Sequence, residues 1–241
     1  MSNEAQTQEV SPSGEGSEGV GGNVKKAAGD SNAGAPRPGS NEARTPNISW
    51  YPGHALSDVR LSLLRQRPAT VWLTGLSGAG KSTLASALEK DLLEIGQCCY
   101  VLDGDNLRHH LNRDLGFSAA DRRENIRRAA EVAYLMNEAG LIVITALISP
   151  FSDDRAMARD IIGKDRFIEV YVSTSTEVCE ARDPKGLYRK ARAGEIPEFT
   201  GVSSPYEAPL APAMELNAES MSVRAATGKL CQYLTEHCFV R

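Results

Sequence analysis

The sequence predicts an α/β fold in which a parallel β-sheet is flanked by helices on both faces and carries a lid segment. Three observations predict it: short apolar runs, helical apolar periods between them, and a glycine-rich turn after the first run. Near-continuous apolar strands that alternate with helices are typical of parallel sheets covered on both faces. The predicted strands are Val71–Gly75, Cys98–Asp103, Leu141–Ser149 and Phe167–Val172, and the predicted helices are Ser82–Ile95, Ala120–Ala139, Ser152–Ile162 and Ala218–Thr235.

The beginning of the 241-residue chain differs in composition from the rest. Residues 1–45 are rich in Gly, Ser, Asn, Glu, Ala and Pro and contain no aromatic side chain. Such a segment buries too little apolar surface to offset the entropy lost on ordering, so residues 1–46 are predicted to be a disordered polar tail. The tail lacks the apolar stretch of a secretory signal and is too acidic for a typical transit peptide. Residues 47–241 have the length of one domain.

Composition also limits the classes of partner. The formal net charge of −4 gives no general attraction to nucleic acid. No apolar run reaches the roughly 18–20 residues of a membrane helix. The five cysteines are odd in number and show no C-x-x-C spacing, so they are predicted to be reduced, mostly buried thiols of a cytoplasmic protein. The histidines stand at no metal-ligand spacing, and no structural zinc is predicted.

The glycine-rich turn fits the pattern G-x-x-x-x-G-K-[ST] of a phosphate-binding loop. Its glycines allow backbone N–H groups to converge on an anion, and the following helix N-terminus adds favourable partial charge. Lys81 is predicted to reach the β- and γ-phosphates of a nucleoside triphosphate, and the Ser82 hydroxyl to ligate Mg²⁺. The motif therefore predicts a P-loop NTPase fold. The predicted nucleotide-binding residues are Gly75, Leu76, Ser77, Gly78, Ala79, Gly80, Lys81, Ser82 and Thr83.

Two aspartates follow the second predicted strand, at the edge of the sheet where such folds bind ligands. Asp103 and Asp105 flank a glycine. A carboxylate beside a phosphate loop can hold Mg²⁺, or it can orient an attacking alcohol and take its proton. The same residue types also favour a solvated turn or a helix cap. The third predicted strand does not end in Asp, which argues against motor and transporter ATPases and favours a small-molecule kinase.

A group of arginines and two isolated phenylalanines each leave two interpretations open. The arginines are Arg108, Arg122, Arg123, Arg127 and Arg128. They could bind an anionic acceptor, but interleaved acidic residues favour a solvated helix face equally well. Phe117 and Phe199 lie in polar, glycine-containing surroundings, where each could pack in a core or stack on a flat ligand. Residues 184–212, rich in Pro, Gly and charge, are a candidate lid.

Several motifs together resemble the adenylyl-sulfate kinase (APS kinase) family over essentially all of residues 47–241. Besides the phosphate loop they are Asp103-Gly104-Asp105-Asn106-Leu107-Arg108, Gly116-Phe117, Asp121-Arg122-Arg123-Glu124-Asn125-Ile126-Arg127-Arg128, Ile148-Ser149-Pro150-Phe151, Asp183-Pro184-Lys185-Gly186-Leu187-Tyr188 and Phe199-Thr200-Gly201. The resemblance implies transfer of the γ-phosphoryl group of ATP to the 3′-hydroxyl of adenosine 5′-phosphosulfate (APS). The products are ADP and 3′-phosphoadenosine 5′-phosphosulfate (PAPS), the activated sulfate donor of sulfate assimilation.

The resemblance also implies roles for individual residues. The catalytic aspartate falls on Asp105, beside the acceptor hydroxyl, and Lys81 and Ser149 complete the implied catalytic set. Some descriptions of the family make this serine a phosphoserine intermediate, although direct in-line transfer needs no covalent step. The implied acceptor-binding residues are Asp105, Arg108, Phe117, Arg122, Asn125, Ile148, Ser149, Lys185 and Phe199, with the acceptor adenine between the two phenylalanines.

The expected partners are therefore ATP, with Mg²⁺, and APS, without nucleic acid or membrane, and the resemblance implies a homodimer. The tail matches no sulfurylase domain, so we expect a stand-alone kinase, and association with an ATP sulfurylase stays open. Two other functions remain alternatives: a P-loop kinase for another alcohol, such as a nucleoside or sugar acid, and a non-catalytic nucleotide-binding subunit. The presence of Lys81, Ser82 and Asp105 argues against the second.

Overall fold

The computed structural model describes residues 57–240, and the predicted tail at residues 1–46 lies outside them. The strands are β1 Thr70–Thr74, β2 Cys99–Asp103, β3 Ile142–Ala146, β4 Phe167–Val172 and β5 Met214–Leu216. They form one parallel sheet with the order β2-β3-β1-β4-β5. The helices in the described part of the chain are α1 Ser57–Leu64, α2 Lys81–Glu94, α3 Gly104–His109, α4 Ala119–Glu138, α5 Ser152–Ile162, α6 Thr176–Arg182, α7 Leu187–Arg192 and α8 Val223–His237.

The predicted α/β fold is confirmed, and the largest shifts in element ends have local causes. α8 begins at Val223 rather than near Ala218, because the Asn217 side chain accepts the N–H groups of the next residues and forms a turn. β3 ends at Ala146 rather than at Ser149, where φ is +40°. The sequence missed β5 and helices α1, α3, α6 and α7, since elements this short carry too little periodicity to be recognised.

β1 is the central strand of the sheet, and all of its residues are buried. Successive side chains of a strand point to opposite faces. Val71 and Leu73 pack with side chains of α2 and α8 on one face. Trp72 packs with side chains of α4 and α5 on the other face. The protein is therefore a three-layer structure, and burial of each such large apolar side chain contributes roughly 1.5–3 kcal/mol.

The carboxyl ends of the parallel strands meet at one edge, and hydrogen bonds join the loops that follow them. The Gly75 N–H after β1 donates to the Ile148 carbonyl after β3, at 3.4 Å. The Thr174 hydroxyl after β4 donates to the Ala79 carbonyl, at 3.0 Å. α3 starts directly after β2 at the same edge. These connections bring the segments that carry the predicted site together.

The cysteines are less buried than the sequence predicted. All five are free thiols, but only Cys179 and Cys238 are buried, and the other three are partly exposed. Cys98 and Cys99 lie at the start of β2, an edge strand with no neighbour on one side. Across residues 57–240, no helix combines the length and the apolarity needed to cross a membrane.

Candidate active site

A cleft of about 1160 Å³ opens at the carboxyl edge of the sheet. Its volume exceeds the roughly 300–1000 Å³ typical of a site for one small ligand, so it has room for two. The predicted site residues that line it are Ser77, Gly78, Gly80, Lys81, Ser82, Thr83, Asp105, Arg108, Phe117, Arg122, Asn125, Ile148, Ser149, Lys185 and Phe199. The remaining predicted residues, Gly75, Leu76 and Ala79, belong to the phosphate loop but are not among the lining residues, and the last two pack in the core.

The phosphate loop is shaped by its backbone. Gly78 and Gly80 have φ values of 77° and 103°, in the left-handed region that favours glycine. At Gly75, a β-carbon would lie 2.6 Å from the Val172 carbonyl oxygen, so no side chain fits there. α2 begins at Lys81, directly after the loop. The unpaired N–H groups of that helix start and its dipole make this end of the cleft suited to phosphate.

Lys81 is held inside the loop by the loop's own carbonyl groups. Its Nζ donates to the carbonyls of Gly75 and Leu76, at 2.9 and 2.7 Å. Burial lowers the pKa of Lys81 to about 8, an effect that Asp103 and Asp105 partly oppose. A phosphate group in the loop would supply the opposite charge that this buried ammonium lacks. The Lys81 ammonium is thus held next to the predicted position of the ATP phosphates.

Asp103 caps a helix, as one of the two interpretations of the sequence predicted, and it also contacts Ser82 of the phosphate loop. Its Oδ2 accepts a hydrogen bond from the Ser82 hydroxyl, at 2.7 Å. Its Oδ1 accepts from the Asp105 N–H, at 2.9 Å, and so caps α3. One carboxylate therefore starts the helix that carries Asp105 and also faces the hydroxyl predicted to ligate Mg²⁺. A hydroxyl and a carboxylate are oxygen ligands of the kind that Mg²⁺ prefers.

Asp105 lies in the first turn of α3 and lines the cleft. Its Oδ2 forms an ion pair with the Lys185 ammonium, and both side chains are more than half exposed. Lys185 precedes α7, in the segment predicted to be a lid. The contact joins that segment to α3 across the cleft. Because both groups are well solvated, the pair contributes about 0–1 kcal/mol and is readily exchanged for contacts to a ligand.

The five predicted arginines divide between the cleft and ion pairs with acidic side chains. The pairs are Arg123–Asp154, Arg127–Glu124, Arg128–Glu124 and Arg128–Asp114. Arg108 and Arg122 line the cleft instead. Anion binding therefore stays a prediction for Arg108 and Arg122, and the side chains of the other three arginines are engaged in ion pairs with acidic residues.

Arg108 and Arg122 are both anchored by backbone carbonyls. Arg108 donates to the Gly116 carbonyl at 2.7 Å, and its guanidinium lies 4.5 Å from the centre of the Phe117 ring. Arg122 donates through Nε to the Phe117 carbonyl at 2.8 Å and through Nη2 to the Glu198 carbonyl at 2.6 Å. Burial lowers the pKa of each guanidinium, yet arginine stays charged at neutral pH. Two cations thus stand together at this end of the cleft.

The two phenylalanines differ in their surroundings. Phe117 is 62 % exposed, and the Arg108 guanidinium lies over its ring. Phe199 is 7 % exposed and packs edge-on against Tyr188, with ring centroids 5.0 Å apart. Most of the Phe199 side chain is thus packed in the core, as one of the two interpretations predicted, and the residue also lines the cleft. Stacking of an adenine between the two rings stays a prediction.

Ser149 sits in a strained conformation held by its neighbours. It is 2 % exposed, and its Oγ accepts a hydrogen bond from Trp72 Nε1 at 3.1 Å. Its carbonyl accepts from Arg155 at 2.8 Å and from the Thr74 hydroxyl at 3.3 Å. Positive φ at a non-glycine residue costs about 1–3 kcal/mol and persists only where such contacts hold it. The hydroxyl is therefore engaged with the core, and the backbone is fixed beside the cleft.

Sequence reasoning missed several groups that shape the site. Arg155 supports the Ser149 carbonyl, and Asn112 is hydrogen-bonded to Asn125 at 3.0 Å. At the other end of the cleft, Arg182 donates to the Ala218 carbonyl at 2.9 Å. No spacing rule identifies these residues, because each acts across separate chain segments.

Comparison with known proteins agrees with this geometry. The family model described as "Adenylylsulphate kinase" matches residues 67–217. The chain is 55 % identical over 201 residues to an adenylyl-sulfate kinase of Vibrio cholerae, which covers 83 % of this chain and 93 % of the relative. It is 50 % identical over 197 residues to an adenylyl-sulfate kinase of Clostridium acetobutylicum, with 82 % and 98 % covered.

A solved structure is similar as well. The Mycobacterium tuberculosis APS kinase in complex with AMPPNP and APS is 50 % identical, with a TM-score of 0.67, and covers 70 % of this chain and 98 % of that one. The family match spans more than half of the chain and includes every predicted site residue. The chain therefore belongs to the adenylylsulphate kinase family.

Proposed function

We propose that the cleft holds ATP and APS together, with the ATP phosphates on the phosphate loop and APS at the end that carries Asp105, Arg108 and Arg122. The enzyme transfers the γ-phosphoryl group of ATP to APS and so forms ADP and PAPS, as a kinase of its family. The single observation that carries the arrangement is that one cleft joins the phosphate loop, a carboxylate and two arginines. The related structure that holds AMPPNP and APS supports simultaneous occupancy.

Asp105 is the proposed catalytic carboxylate. It lines the cleft opposite the start of α2 and is free to exchange its ion pair with Lys185 for a contact to the 3′-hydroxyl. A carboxylate in that place orients the hydroxyl and takes its proton as the new P–O bond forms. Lys185, once released, is then available to the transferred phosphoryl group or the phosphates of ATP. The exchange would couple arrival of the acceptor to the movement of the lid segment.

Mg²⁺ is the proposed cofactor, supplied with ATP. Ser82 and Asp103 present a hydroxyl and a carboxylate to each other at 2.7 Å, and this oxygen donor set fits the metal. Ser82 would ligate the ion, and Asp103 would hold the hydroxyl or a metal-bound water. When bound, Mg²⁺ neutralises the charge on the ATP phosphates during transfer.

Acceptor recognition is proposed to combine charge, stacking and hydrogen bonding. The phosphosulfate of APS is anionic, and Arg108 and Arg122 provide cations that suit such a group. The exposed face of Phe117 and the cleft-facing edge of Phe199 would hold the flat adenine. Asn125 and Ile148 also line this end and would complete the acceptor pocket.

Direct transfer, without a phosphoserine, is proposed for the chemical step. The Ser149 hydroxyl accepts its hydrogen bond from Trp72 in the core and is almost completely buried. Ser149 would therefore shape the acceptor site through its fixed backbone and not through its hydroxyl. In-line attack by the acceptor hydroxyl needs only positioning and charge stabilisation.

A coupled ADP-release assay tests this function. The enzyme with MgATP is supplied in turn with APS, AMP, adenosine and gluconate, and the product is identified by mass. We expect ADP release only with APS, together with formation of PAPS. Release with another alcohol would contradict the proposed acceptor, and tight ATP binding without release would favour the non-catalytic alternative.

Three wider expectations remain proposals. Residues 47–241 are proposed to form the kinase domain behind a polar tail, and the enzyme is proposed to be a homodimer. The free thiols fit a reducing compartment, which supports a cytoplasmic location. Light scattering of the purified protein measures the oligomeric state, and a monomer at micromolar concentration would contradict the dimer.

A further inference from the structure

Asn112 is a buried polar residue next to the acceptor end of the cleft. It is completely buried and does not line the cleft, whereas Asn125 on α4 does line it. The Asn112 Nδ2 donates a hydrogen bond to the Asn125 Oδ1, at 3.0 Å. The two side chains meet in the interior, so Asn112 can reach a ligand only through Asn125.

The backbone around Asn112 is fixed at both of its polar groups. Its N–H donates to the Leu107 carbonyl at 2.8 Å, and its carbonyl accepts from the Leu115 N–H at 3.1 Å. Leu107 belongs to α3, the helix that carries Asp105 and Arg108. The turn between α3 and α4 thus presents the Asn112 amide at a set place and angle.

The orientation of the Asn112 and Asn125 side-chain amides follows from which of their polar atoms is left without a hydrogen-bond partner. Among the described residues, the Asn112 Oδ1 is buried and has no hydrogen-bond donor. The reverse orientation would bury the Asn112 amide N–H₂ instead, and orphaned buried N–H groups are rarer than under-satisfied carbonyls. With its Oδ1 taken by Asn112, Asn125 has its Nδ2 left for the cleft, and an amide nitrogen can only donate.

We propose that Asn112 is a positioning residue that locks Asn125 as a hydrogen-bond donor toward the acceptor. The proposal rests on the proposed function, in which Asn125 contacts APS. The ligand group that this donor recognises is an accepting oxygen or ring nitrogen, and the donor suits the anionic oxygens of a phosphosulfate. An Asn125 turned the other way would present a carbonyl oxygen, which repels such a group.

Asn112→Asp is the sharpest test, because the side chain keeps its size and changes its hydrogen-bonding capacity with pH. In this variant, a protonated carboxyl group still donates to the Asn125 Oδ1. An ionised carboxylate only accepts, so the Asn125 Nδ2 turns inward and its Oδ1 faces the acceptor. The expected result is an APS KM close to that of the wild type at low pH that rises about 10-fold or more at high pH.

The APS KM of Asn112→Asp is compared with that of three other proteins. These are the wild-type enzyme, Asn125→Ala and the double variant that carries both Asn112→Asp and Asn125→Ala. Other charged groups at this end, Asp105, Arg108, Arg122 and Lys185, are present in every protein, so their titration cancels in the ratio to wild type. The ATP KM should not change. In the Asn125→Ala background, Asn112→Asp should add no pH-dependent change, because the donor that Asn112 controls is gone.

The outcomes separate positioning from general support of the fold. A pH-independent APS KM in Asn112→Asp, equal changes for both substrates, or a full effect in the Asn125→Ala background would each overturn the proposal. If Asn112→Asp does not fold, Asn112→Ala replaces it. That variant should raise the APS KM several-fold at unchanged ATP KM, and the rise should vanish in the Asn125→Ala background. Failure of the proposed function would differ, since wild type would then make no PAPS.

Discussion

The two ends of the cleft are built in different ways. At the phosphate end, one continuous segment supplies the loop, the lysine and the helix start, and the glycine backbone fixes their shape. At the acceptor end, side chains come from α3, α4, the loop after β3 and the segments on either side of α7. There the charged groups already have partners within the protein: Asp105 pairs with Lys185, and Arg122 donates to the Glu198 backbone carbonyl.

The acceptor end, rather than the phosphate end, determines the choice of substrate. A backbone cradle recognises phosphate in any nucleotide, so the phosphate end alone does not identify the reaction. The acceptor end combines cations, rings and a carboxylate, and its present contacts must rearrange before a ligand can use them. We therefore expect variants at the acceptor end to change APS use while leaving ATP binding intact.

Among variants at the acceptor end, Arg122→Ala should separate the use of APS from the binding of ATP most clearly. Loss of one charge-assisted contact is worth about 1.5–3 kcal/mol, so the APS KM should rise roughly 10- to 100-fold at an unchanged ATP KM. Steady-state kinetics with each substrate varied in turn measures both values. Arg127→Ala is the matched control, because Arg127 lies on the same helix in a partly exposed ion pair with Glu124. If the ATP KM of Arg122→Ala rose as much as its APS KM, the two ends of the cleft would not bind their substrates independently.

Lys81 predicts a pH effect at the phosphate end. Burial lowers its pKa to about 8 in the free enzyme, and bound phosphates raise that pKa again. Above pH 8 the enzyme must therefore take up a proton when ATP binds, so affinity falls as pH rises. Between pH 7 and 9 the Kd for AMPPNP with Mg²⁺ should increase about 10-fold. Calorimetry in buffers of different ionisation enthalpy measures the proton uptake on binding. Equal Kd values at pH 7 and pH 9, without proton uptake, would contradict the lowered pKa of Lys81.

Ser149→Ala should have the smallest effect. The hydroxyl accepts one buried hydrogen bond from Trp72, so its loss should lower stability by about 1 kcal/mol and kcat by no more than about 3-fold. Enzyme mixed with ATP labelled in the γ-phosphate should carry no label on serine. A loss of kcat above about 100-fold in a folded variant, or a labelled Ser149, would make the serine a chemical participant.

The sequence predicted the parts of the site that lie within one motif. The phosphate loop is contiguous, and spacing placed Asp105 with Arg108 and Arg122 with Asn125. Contacts between segments distant in the chain could not be predicted, since no periodicity encodes how loops close over a sheet. Lys185 and Asp105 are 80 residues apart along the chain, and Asn112 and Asn125 are 13 residues apart. The predicted third strand is present but ends earlier than Ser149, because Arg155 and Thr74 hold the Ser149 carbonyl outside the sheet.

The measurement to make first compares nucleotide binding and turnover in Asp105→Asn, because Asp105 is the proposed proton acceptor of the reaction. Asparagine keeps the shape but takes up no proton, so kcat should fall by roughly 10²- to 10⁴-fold. AMPPNP should bind with a Kd within about 3-fold of wild type, since the phosphate loop is unchanged. Asp160→Asn, exposed on α5, controls for loss of a carboxylate. Turnover close to wild type in Asp105→Asn, or a parallel loss of AMPPNP binding, would contradict the division of the cleft into a phosphate end and an acceptor end.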